Sequence, residues 1–264
     1  AIVVDYLQEA RVAFLREGPA SALLDSGVVV VGHQVEYKRP IDYSDEPVTV
    51  TLGVSHVGAS RIEIAYTLTQ DGETAVVART VLCAFDFTQN RPVRLLPEHR
   101  RFFEEHLLEV EPLRPIDAPP LEGRGTASPL VVRWSDLDAY GHVNNVRFFD
   151  FVAEARVHMS SDADRSGNRM SAAEEVGQLW MVVRQDVDYL AQLDHRLEPY
   201  VTRVAVADIG RTSMTLVAEV TDPDAGTVFA RARTVIVCGD QSGRPVPVPD
   251  ELRHGLETWP AQPQ

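Results

Sequence analysis

Cysteine is scarce in this sequence, with two residues, Cys83 and Cys238, in 264. Two cysteines supply neither a disulfide framework nor the paired thiols of a zinc site. Long apolar runs are also missing, because none approaches the roughly 18 to 20 residues that a membrane-spanning helix needs. The first residues show no charged-then-apolar signal pattern. These absences predict a protein of the reducing cytoplasm, with no membrane segment and no metal site.

Positively charged residues are also fewer than negatively charged ones. Lys and Arg number 25 against 39 Asp and Glu, which leaves a formal net charge of −14. Long-range repulsion therefore argues against nucleic acid or an anionic membrane as partner. Any anionic ligand would need a local basic cluster.

The sequence contains a repeat at about half its length. DYLQEARV, from Asp5, returns as DFVAEARV from Asp150, and QVEYKRPIDYSDEPVTV, from Gln34, aligns with DVDYLAQLDHRLEPYVT from Asp186. Three further matches follow in the same order in both halves: the stretches around Gly58 and Gly210, ARTVLC with ARTVIV, and RPVRLLPEHR with RPVPVPDELR. We interpret this order as an internal duplication.

Each copy shows a helical pattern followed by strand patterns. Apolar residues recur at steps of three and four, at Val3, Tyr6, Leu7 and Ala10 in the first copy and at Phe148, Phe151, Val152 and Ala155 in the second. Alternating β-branched stretches follow, with hairpin turns predicted at Asp71-Gly72 and at residues 223–226. This order predicts an α+β fold with a helix on an antiparallel sheet in each half.

A segment rich in proline and glycine separates the copies and is typical of a linker. We therefore predict a first domain at residues 1–108, a linker at 109–128 and a second domain at 129–264. The duplicated sheets are expected to join edge to edge, which would make the chain a covalent version of a symmetric dimer.

The stretch RWSDLDAYGHVNNVRFFDFVAEAR, from Arg133 to Arg156, places acidic, histidine and paired asparagine residues directly before an amphipathic helix. It resembles the signature of the hotdog-fold thioesterases, in particular the 4-hydroxybenzoyl-CoA thioesterase group and the acyl-ACP thioesterases. The resemblance implies a tandem (double) hotdog, each half a long central helix wrapped by a curved antiparallel sheet. It also implies a thioesterase that hydrolyses acyl-CoA or acyl-ACP thioesters with no metal or cofactor.

The sequence departs from that signature in two ways. Residues 1–108 hold no counterpart of Asp138, His142 or Asn144. Either an upstream segment supplies a second motif or the duplication has kept one catalytic centre, and both alternatives stay open. In addition, Tyr140 occupies a position where the plant acyl-ACP enzymes carry asparagine, which favours acyl-CoA.

Thioester hydrolysis needs a base or nucleophile at the carbonyl carbon and positive potential at its oxygen. Asp138 is the candidate for the first role, as a nucleophile or as a general base. A helix N-terminus suits the second role because it carries a partial positive charge. We expect that helix to be able to come from the opposite half, which would place the site between the copies.

The neighbouring residues are assigned from the same motif. His142 and Asn144 are predicted to be catalytic, and Tyr140, Gly141 and Asn145 to contact the substrate. The asparagines could instead cap the helix, a common role for this residue type, and His142 could be a buried histidine bonded to backbone.

Other acids fit structural roles better than catalysis. Asp136 is expected to be a turn or strand-end residue. Glu9 and Glu154 both occur in the repeated EARV, and that recurrence indicates scaffolding.

Coenzyme A would bring phosphates, so basic residues near strand ends are candidate contacts: Lys38, Arg39, Arg61 and Arg211. Each of them also fits a solvated strand end. The insertion at residues 160–178 is expected to form a loop and helix near the entrance and to influence acyl selection.

Two alternatives to a thioesterase remain. One is a hotdog enoyl-thioester hydratase, and the other is a non-catalytic acyl-CoA-binding protein. Acyl chain length, carrier, pathway and a homo-oligomer of pseudo-dimers are left open by the sequence.

Overall fold

The computed structural model describes residues 2–165, 178–250 and 252–253. The chain divides into two compact units, Ala1–Pro115 and Ile116–Gln264. The boundary falls inside the segment predicted as a linker, at 109–128. The predicted entrance insertion lies mostly outside the described residues.

Unit 1 is a helix followed by an antiparallel sheet, as the residue pattern predicts, but only β2, β3 and β4 form a meander, since β1 pairs with β4. Its sheet has the order β2-β3-β4-β1, and the short β5 pairs with β4. The elements are α1 (Ile2–Leu15), α2 (Ser21–Ser26), β1 (Val28–Tyr37), β2 (Thr49–Val57), β3 (Arg61–Gln70), β4 (Glu73–Asp86), β5 (Arg91–Pro92) and α3 (Pro97–Glu105).

The hairpin turns lie where the sequence predicts them. Asp71 and Gly72 connect β3 to β4 with φ angles of 55° and 75°. Positive φ at both central residues is the type I′ pattern that matches the twist of the flanking strands. The predicted turn at residues 223–226 connects two strands of unit 2, with Gly226 at φ 68°. Both turn predictions are confirmed.

The buried face of α1 differs from the predicted one. Leu7 is buried as expected, but Tyr6 is 41% exposed and Val3 and Ala10 are half-buried. The core face is instead formed by Val4, Leu7, Arg11, Phe14 and Leu15. The prediction for α1 was wrong by about one position, because the helix carries apolar residues on adjacent stripes and only packing decides between them.

Unit 2 also combines a long helix with an antiparallel sheet. The strand order is β7-β10-β9-β8-β6, and the helix α4 packs on β8 and β6. The elements are β6 (Thr126–Leu130), α4 (Arg147–Arg165), β7 (Leu179–Tyr189), β8 (Tyr200–Ile209), β9 (Ser213–Thr221) and β10 (Val228–Gly239). β6 therefore begins inside the predicted linker.

The predicted core face of α4 is confirmed. Phe148, Phe151, Val152 and Ala155 are each no more than 4% exposed. Their burial fixes which side of α4 meets the sheet, and thereby sets the direction in which the polar stretch before the helix approaches it.

Each unit has the same hydrogen bond from an arginine side chain to a glycine carbonyl, at the equivalent hairpin. The glycine after β2, Gly58, accepts a hydrogen bond from Arg100 Nη2 at 2.6 Å, and the glycine after β8, Gly210, accepts one from Arg253 Nη2 at 2.7 Å. Both arginines belong to the RPVRLLPEHR and RPVPVPDELR stretches that align in the sequence.

Among the described residues, no helix is both long and apolar enough to cross a membrane.

Candidate active site

The acidic motif forms a tight loop between β6 and α4. Leu137 and Val143 pair as an antiparallel bridge, and the Asp138 N–H donates to the His142 carbonyl at 2.8 Å. Gly141 has a φ of 82°, a left-handed conformation that glycine adopts without steric cost. The loop therefore holds its acidic and histidine residues in one fixed turn.

Asp138 is half-buried in this loop, and one of its carboxylate oxygens is held by backbone. Oδ1 accepts hydrogen bonds from the Tyr140 N–H at 2.8 Å and the His142 N–H at 3.3 Å. Among the described residues none hydrogen-bonds to Oδ2. One oxygen thus orients the side chain and leaves the other for a further partner.

The asparagines link the loop to α4. Asn144 Oδ1 accepts a hydrogen bond from the Val146 N–H at 3.0 Å, and the Asn144 N–H donates to the Asp136 carbonyl at 2.8 Å. Its own carbonyl accepts the Arg147 N–H at 2.9 Å. Asn144 therefore caps the N-terminal end of α4. This is the structural role considered above as the alternative to catalysis.

Tyr189 holds the other asparagine and was not singled out from the sequence. Its hydroxyl donates to the Asn145 carbonyl at 2.7 Å, and its ring packs edge-on against Phe148 at 5.2 Å. One feature of the sequence could have pointed to Tyr189: both copies carry a tyrosine at the same aligned position, Tyr37 in the first and Tyr189 in the second.

Tyr189→Phe is expected to lower kcat for a reaction at this loop about fivefold with little change in KM, because the N-terminus of α4 loses a hydrogen bond worth about 1 kcal/mol. Steady-state kinetics and thermal unfolding check this expectation. Tyr200→Phe is a matched control, since the Tyr200 hydroxyl also donates to a backbone carbonyl, that of Asp194 at 3.0 Å. A similar loss of stability in both variants, with equal loss of kcat, would contradict a positioning role for Tyr189.

Asp136 is the buried anchor of the motif, with 1% of its surface exposed. Oδ2 accepts hydrogen bonds from the Arg133 N–H at 2.8 Å and Nε at 3.2 Å, and Oδ1 accepts one from Nη2 at 2.9 Å. Burial raises the pKa of this carboxyl, but the hydrogen bonds and charge of Arg133 outweigh burial and leave the pKa below its usual value. Asp136 stays ionised at neutral pH and serves the turn, in keeping with its predicted role.

The segment between β7 and β8 packs against the acidic loop. The Leu193 carbonyl accepts the Val143 N–H at 2.9 Å, and Leu193 is 2% exposed. Two residues further on, the His195 ring meets Trp134 edge-on, with 5.8 Å between ring centroids. These contacts join residues 50 and 61 positions apart in sequence, so the motif alone does not reveal them.

The structure brings six predicted site residues together in this one loop. His142 is half-buried, Tyr140 is 40% exposed and Gly141 is exposed. The six are Asp138, Tyr140, Gly141, His142, Asn144 and Asn145.

The predicted phosphate contacts in unit 1 lie apart from one another. The Lys38 N–H donates to the Ala75 carbonyl, whereas Arg61 pairs with Cys83. Those partners are eight residues apart on β4, or about 27 Å at the rise of an extended strand. Lys38 and Arg61 therefore cannot contact the same phosphate group.

Local partners already engage two of these basic residues. Lys38 pairs with Glu36, while Arg39 donates to the Gln70 carbonyl and lies 3.6 Å from Glu73. These contacts fit the strand-end alternative offered for both.

Arg211 lies far from the acidic loop within unit 2. It follows the end of β8 at Ile209, whereas Leu130, just before the motif, pairs with Tyr200 at the start of that strand. A ten-residue strand spans about 30 Å. Arg211 and Asp138 are thus at opposite ends of the sheet.

The repeated glutamates are on the solvent side of their helices, since Glu9 and Glu154 are both exposed. Among the described residues no group of three or more His, Cys, Asp or Glu side chains could hold a metal ion.

The profile of the thioesterase-like superfamily matches residues 1–103 and 132–256, which is most of the chain. The chain belongs to the thioesterase-like superfamily. Both matched segments contain one of the long helices and its meander, so the superfamily assignment covers both units.

Several solved structures share this combination of helix and antiparallel sheet. A putative oleoyl thioesterase from Lactobacillus plantarum is 17% identical with a TM-score of 0.68, over 93% of this chain and 88% of that one. The 12:0-ACP thioesterase from Umbellularia californica is 18% identical with a TM-score of 0.68, over 89% and 88%. An acyl-ACP thioesterase from Bacteroides thetaiotaomicron is 14% identical with a TM-score of 0.64, over 89% and 88%. No curated protein matches the sequence. At these identities the likeness shows the α+β hotdog fold.

Proposed function

We propose that this protein hydrolyses acyl thioesters of coenzyme A or acyl carrier protein at the acidic loop of unit 2. The observation that carries the proposal is the Asp138 carboxylate, which is held through Oδ1 while Oδ2 has no hydrogen bond from the described residues. A carboxylate fixed in this way can act on a carbonyl carbon without first reorganising.

The loop runs straight into α4, so the N-terminus of that helix lies close to Asp138 along the chain. A helix N-terminus carries a partial positive charge, which stabilises negative charge on the thioester oxygen as the tetrahedral intermediate forms. Asn144 and Tyr189 hold this end of the helix in position through the Val146 N–H and the Asn145 carbonyl.

Two chemical routes are compatible with this arrangement. As a general base, Asp138 takes a proton from water while the water oxygen attacks the carbonyl carbon; the C–S bond then breaks and Asp138 gives that proton to the leaving thiolate. As a nucleophile, Oδ2 bonds to the carbon, the thiolate leaves, and water hydrolyses the resulting anhydride. His142, half-buried in the same turn, is proposed to position the thioester, with Tyr140, Gly141 and Asn145 lining its path.

We further infer that the two units descend from an internal duplication and form a tandem hotdog. The ordered sequence matches support this inference, as do the equivalent arginine-to-glycine contacts of Arg100 with Gly58 and Arg253 with Gly210. An acyl-CoA preference and phosphate contacts from Lys38, Arg39, Arg61 or Arg211 are further parts of the proposal.

Release of free thiol from a panel of acyl-CoA and acyl-carrier-protein thioesters tests the function. We expect turnover of at least one chain length, and the ratio of kcat/KM values for the two carriers identifies the preferred one. Loss of enoyl-CoA absorbance without free thiol would instead indicate a hydratase. Calorimetry that shows acyl-CoA binding without turnover over hours would indicate a binding protein.

A further inference from the structure

Residues 190–199, which we call the β7–β8 loop, contact the acidic loop through Val143. The Leu193 carbonyl accepts the Val143 N–H at 2.9 Å, and Val143 also forms a bridge with Leu137, the residue before Asp138. Val143 is therefore held from two sides, once within the acidic loop and once by the β7–β8 loop. The position of the turn that carries Asp138 depends on how firmly the second support is fixed.

Arg196 fixes the β7–β8 loop with three hydrogen bonds. Its Nε donates to the Glu198 carbonyl at 3.1 Å and its Nη2 to the Pro199 carbonyl at 3.3 Å, while Nη1 donates to Asp222 Oδ2 at 2.6 Å. The guanidinium also lies over the Tyr200 ring, with 3.8 Å between Cζ and the ring centroid, which is the geometry of a cation–π contact. One side chain thus ties the loop to the start of β8 and to the residue that follows β9.

Asp222 is a fixed partner for Arg196. Its other carboxylate oxygen, Oδ1, accepts the Asp224 and Ala225 N–H groups at 2.9 Å and 3.1 Å in the turn after β9. The Asp224 N–H and the Arg196 guanidinium hold the pKa of Asp222 below its usual value. The carboxylate is therefore ionised at neutral pH, and its bond with Arg196 is charge-assisted.

The equivalent loop of unit 1 is tied to its sheet at the same aligned positions, but without charge. Ser44 aligns with Arg196, and Gln70, the last residue of β3, aligns with Asp222. Gln70 Nε2 donates to Ser44 Oγ at 3.1 Å. Charge-assisted hydrogen bonds are roughly twice as strong as neutral ones, so the stronger tie belongs to the unit that carries the acidic loop.

The second contact between the two loops is weaker than the first. The His195 ring meets Trp134 edge-on, but Trp134 is 78% exposed. Leu193 and Val143 are 2% and 7% exposed, so their hydrogen bond is shielded from water, which would otherwise compete for both groups. The Leu193 carbonyl is therefore the main support that the β7–β8 loop gives to the acidic loop.

We propose that Arg196 is a positioning residue for the reaction at the acidic loop. By fixing the β7–β8 loop, it keeps the Leu193 carbonyl on the Val143 N–H and thereby holds the turn that carries Asp138. The effect on rate rests on the proposed function, whereas the effect on Val143 does not depend on any activity. Because Arg196 acts through backbone and not on the substrate, we expect its removal to change kcat more than KM.

Arg196→Met is expected to lower kcat about tenfold with little change in KM, since a misplacement of about 1 Å can cost about 10²-fold and the turn keeps its other hydrogen bonds. Arg100→Met is the matched control. The Arg100 guanidinium also donates to a backbone carbonyl, that of Gly58, and to the Glu104 carboxylate, but in unit 1. Its kcat should equal that of the unchanged protein. Free-thiol release gives the kinetic constants, and thermal unfolding gives the stability of each variant.

Asp222→Asn is a milder second variant, useful if Arg196→Met does not fold. Asparagine keeps an oxygen for the Asp224 and Ala225 N–H groups and removes only the charge that holds Arg196. We expect kcat to fall about threefold, because a neutral hydrogen bond is roughly half as strong as a charge-assisted one. Tyr200→Phe keeps the ring beneath Arg196 and should leave kcat unchanged.

Hydrogen exchange at the Val143 amide tests the structural step without substrate. In Arg196→Met we expect this amide to exchange about tenfold faster than in the unchanged protein, while the Val204 amide in the middle of β8 keeps its rate. Unchanged exchange at Val143, or an equal loss of kcat in Arg196→Met and Arg100→Met, would overturn the proposal. If the unchanged protein hydrolyses no thioester, the proposed function fails, and exchange at Val143 alone decides whether Arg196 positions the loop.

Discussion

Asp138→Asn is expected to lower kcat for thioester hydrolysis by about 10³-fold, within the range that general acid–base catalysis contributes. Asparagine keeps an oxygen that can accept the Tyr140 and His142 N–H groups, so the turn should stay intact. What it loses is the negative charge on the second oxygen. Free-thiol release gives the rate, and circular dichroism with thermal unfolding shows whether the fold is kept.

Asp208→Asn is the matched control, because Asp208 is an exposed aspartate near the end of β8 that lies far from the acidic loop. Its turnover should equal that of the unchanged protein. Full activity in Asp138→Asn would remove Asp138 from the mechanism. A single turnover in ¹⁸O-labelled water, followed by mass analysis of the peptide that contains residue 138, separates the routes, since only the anhydride route can place label in the carboxylate.

Arg184→Met is expected to lower the free energy of unfolding by about 3–5 kcal/mol, the cost of removing one member of a buried ion pair. Arg184 Nε lies 2.5 Å from Asp186 Oδ1 and Nη2 lies 3.1 Å from Oδ2, and the two side chains are only 7% and 5% exposed. Urea unfolding measures the change. The double variant Arg184→Met with Asp186→Leu should recover most of the stability, because it removes both charges of the buried pair.

The loss of stability in Arg184→Met should depend on pH. Burial raises the pKa of Asp186 and exceeds the opposing effect of Arg184. A raised carboxyl pKa means that the ionised form costs stability in the folded state, and that this cost disappears as the pH falls through the folded pKa. Removing Arg184 raises that pKa further, so the deficit of Arg184→Met should be largest at neutral pH and shrink on acidification. A deficit that is constant with pH would show that lost packing, not charge, causes it.

Local sequence predicted most of the secondary structure and the polar loop. The turns at Asp71-Gly72 and residues 223–226 were predictable because few residues tolerate positive φ, and α4 because four apolar residues define one stripe. The face of α1 was not predictable in the same way. Its apolar residues occupy neighbouring stripes, and the sheet beneath the helix selects Val4 and Arg11 over Val3 and Tyr6.

The supports of the candidate site come from distant parts of the chain. Tyr189 and Leu193 contact the motif across about 45 to 50 residues, and no local pattern encodes such pairs. The candidate phosphate contacts were also beyond local prediction. The sequence grouped Lys38 and Arg61 by residue type, whereas their partners on β4 lie about 27 Å apart.

The sequence by itself determined that this is an acidic α+β chain with a repeat and with one polar loop placed before a helix, since composition, periodicity and turn chemistry are properties of neighbouring residues. Only the tertiary structure decided that the Tyr189 hydroxyl donates to the Asn145 carbonyl and that the Leu193 carbonyl accepts the Val143 N–H. Those contacts join residues about 45 to 50 positions apart, and only the packing of the sheet beside the loop brings such residues within about 3 Å of each other.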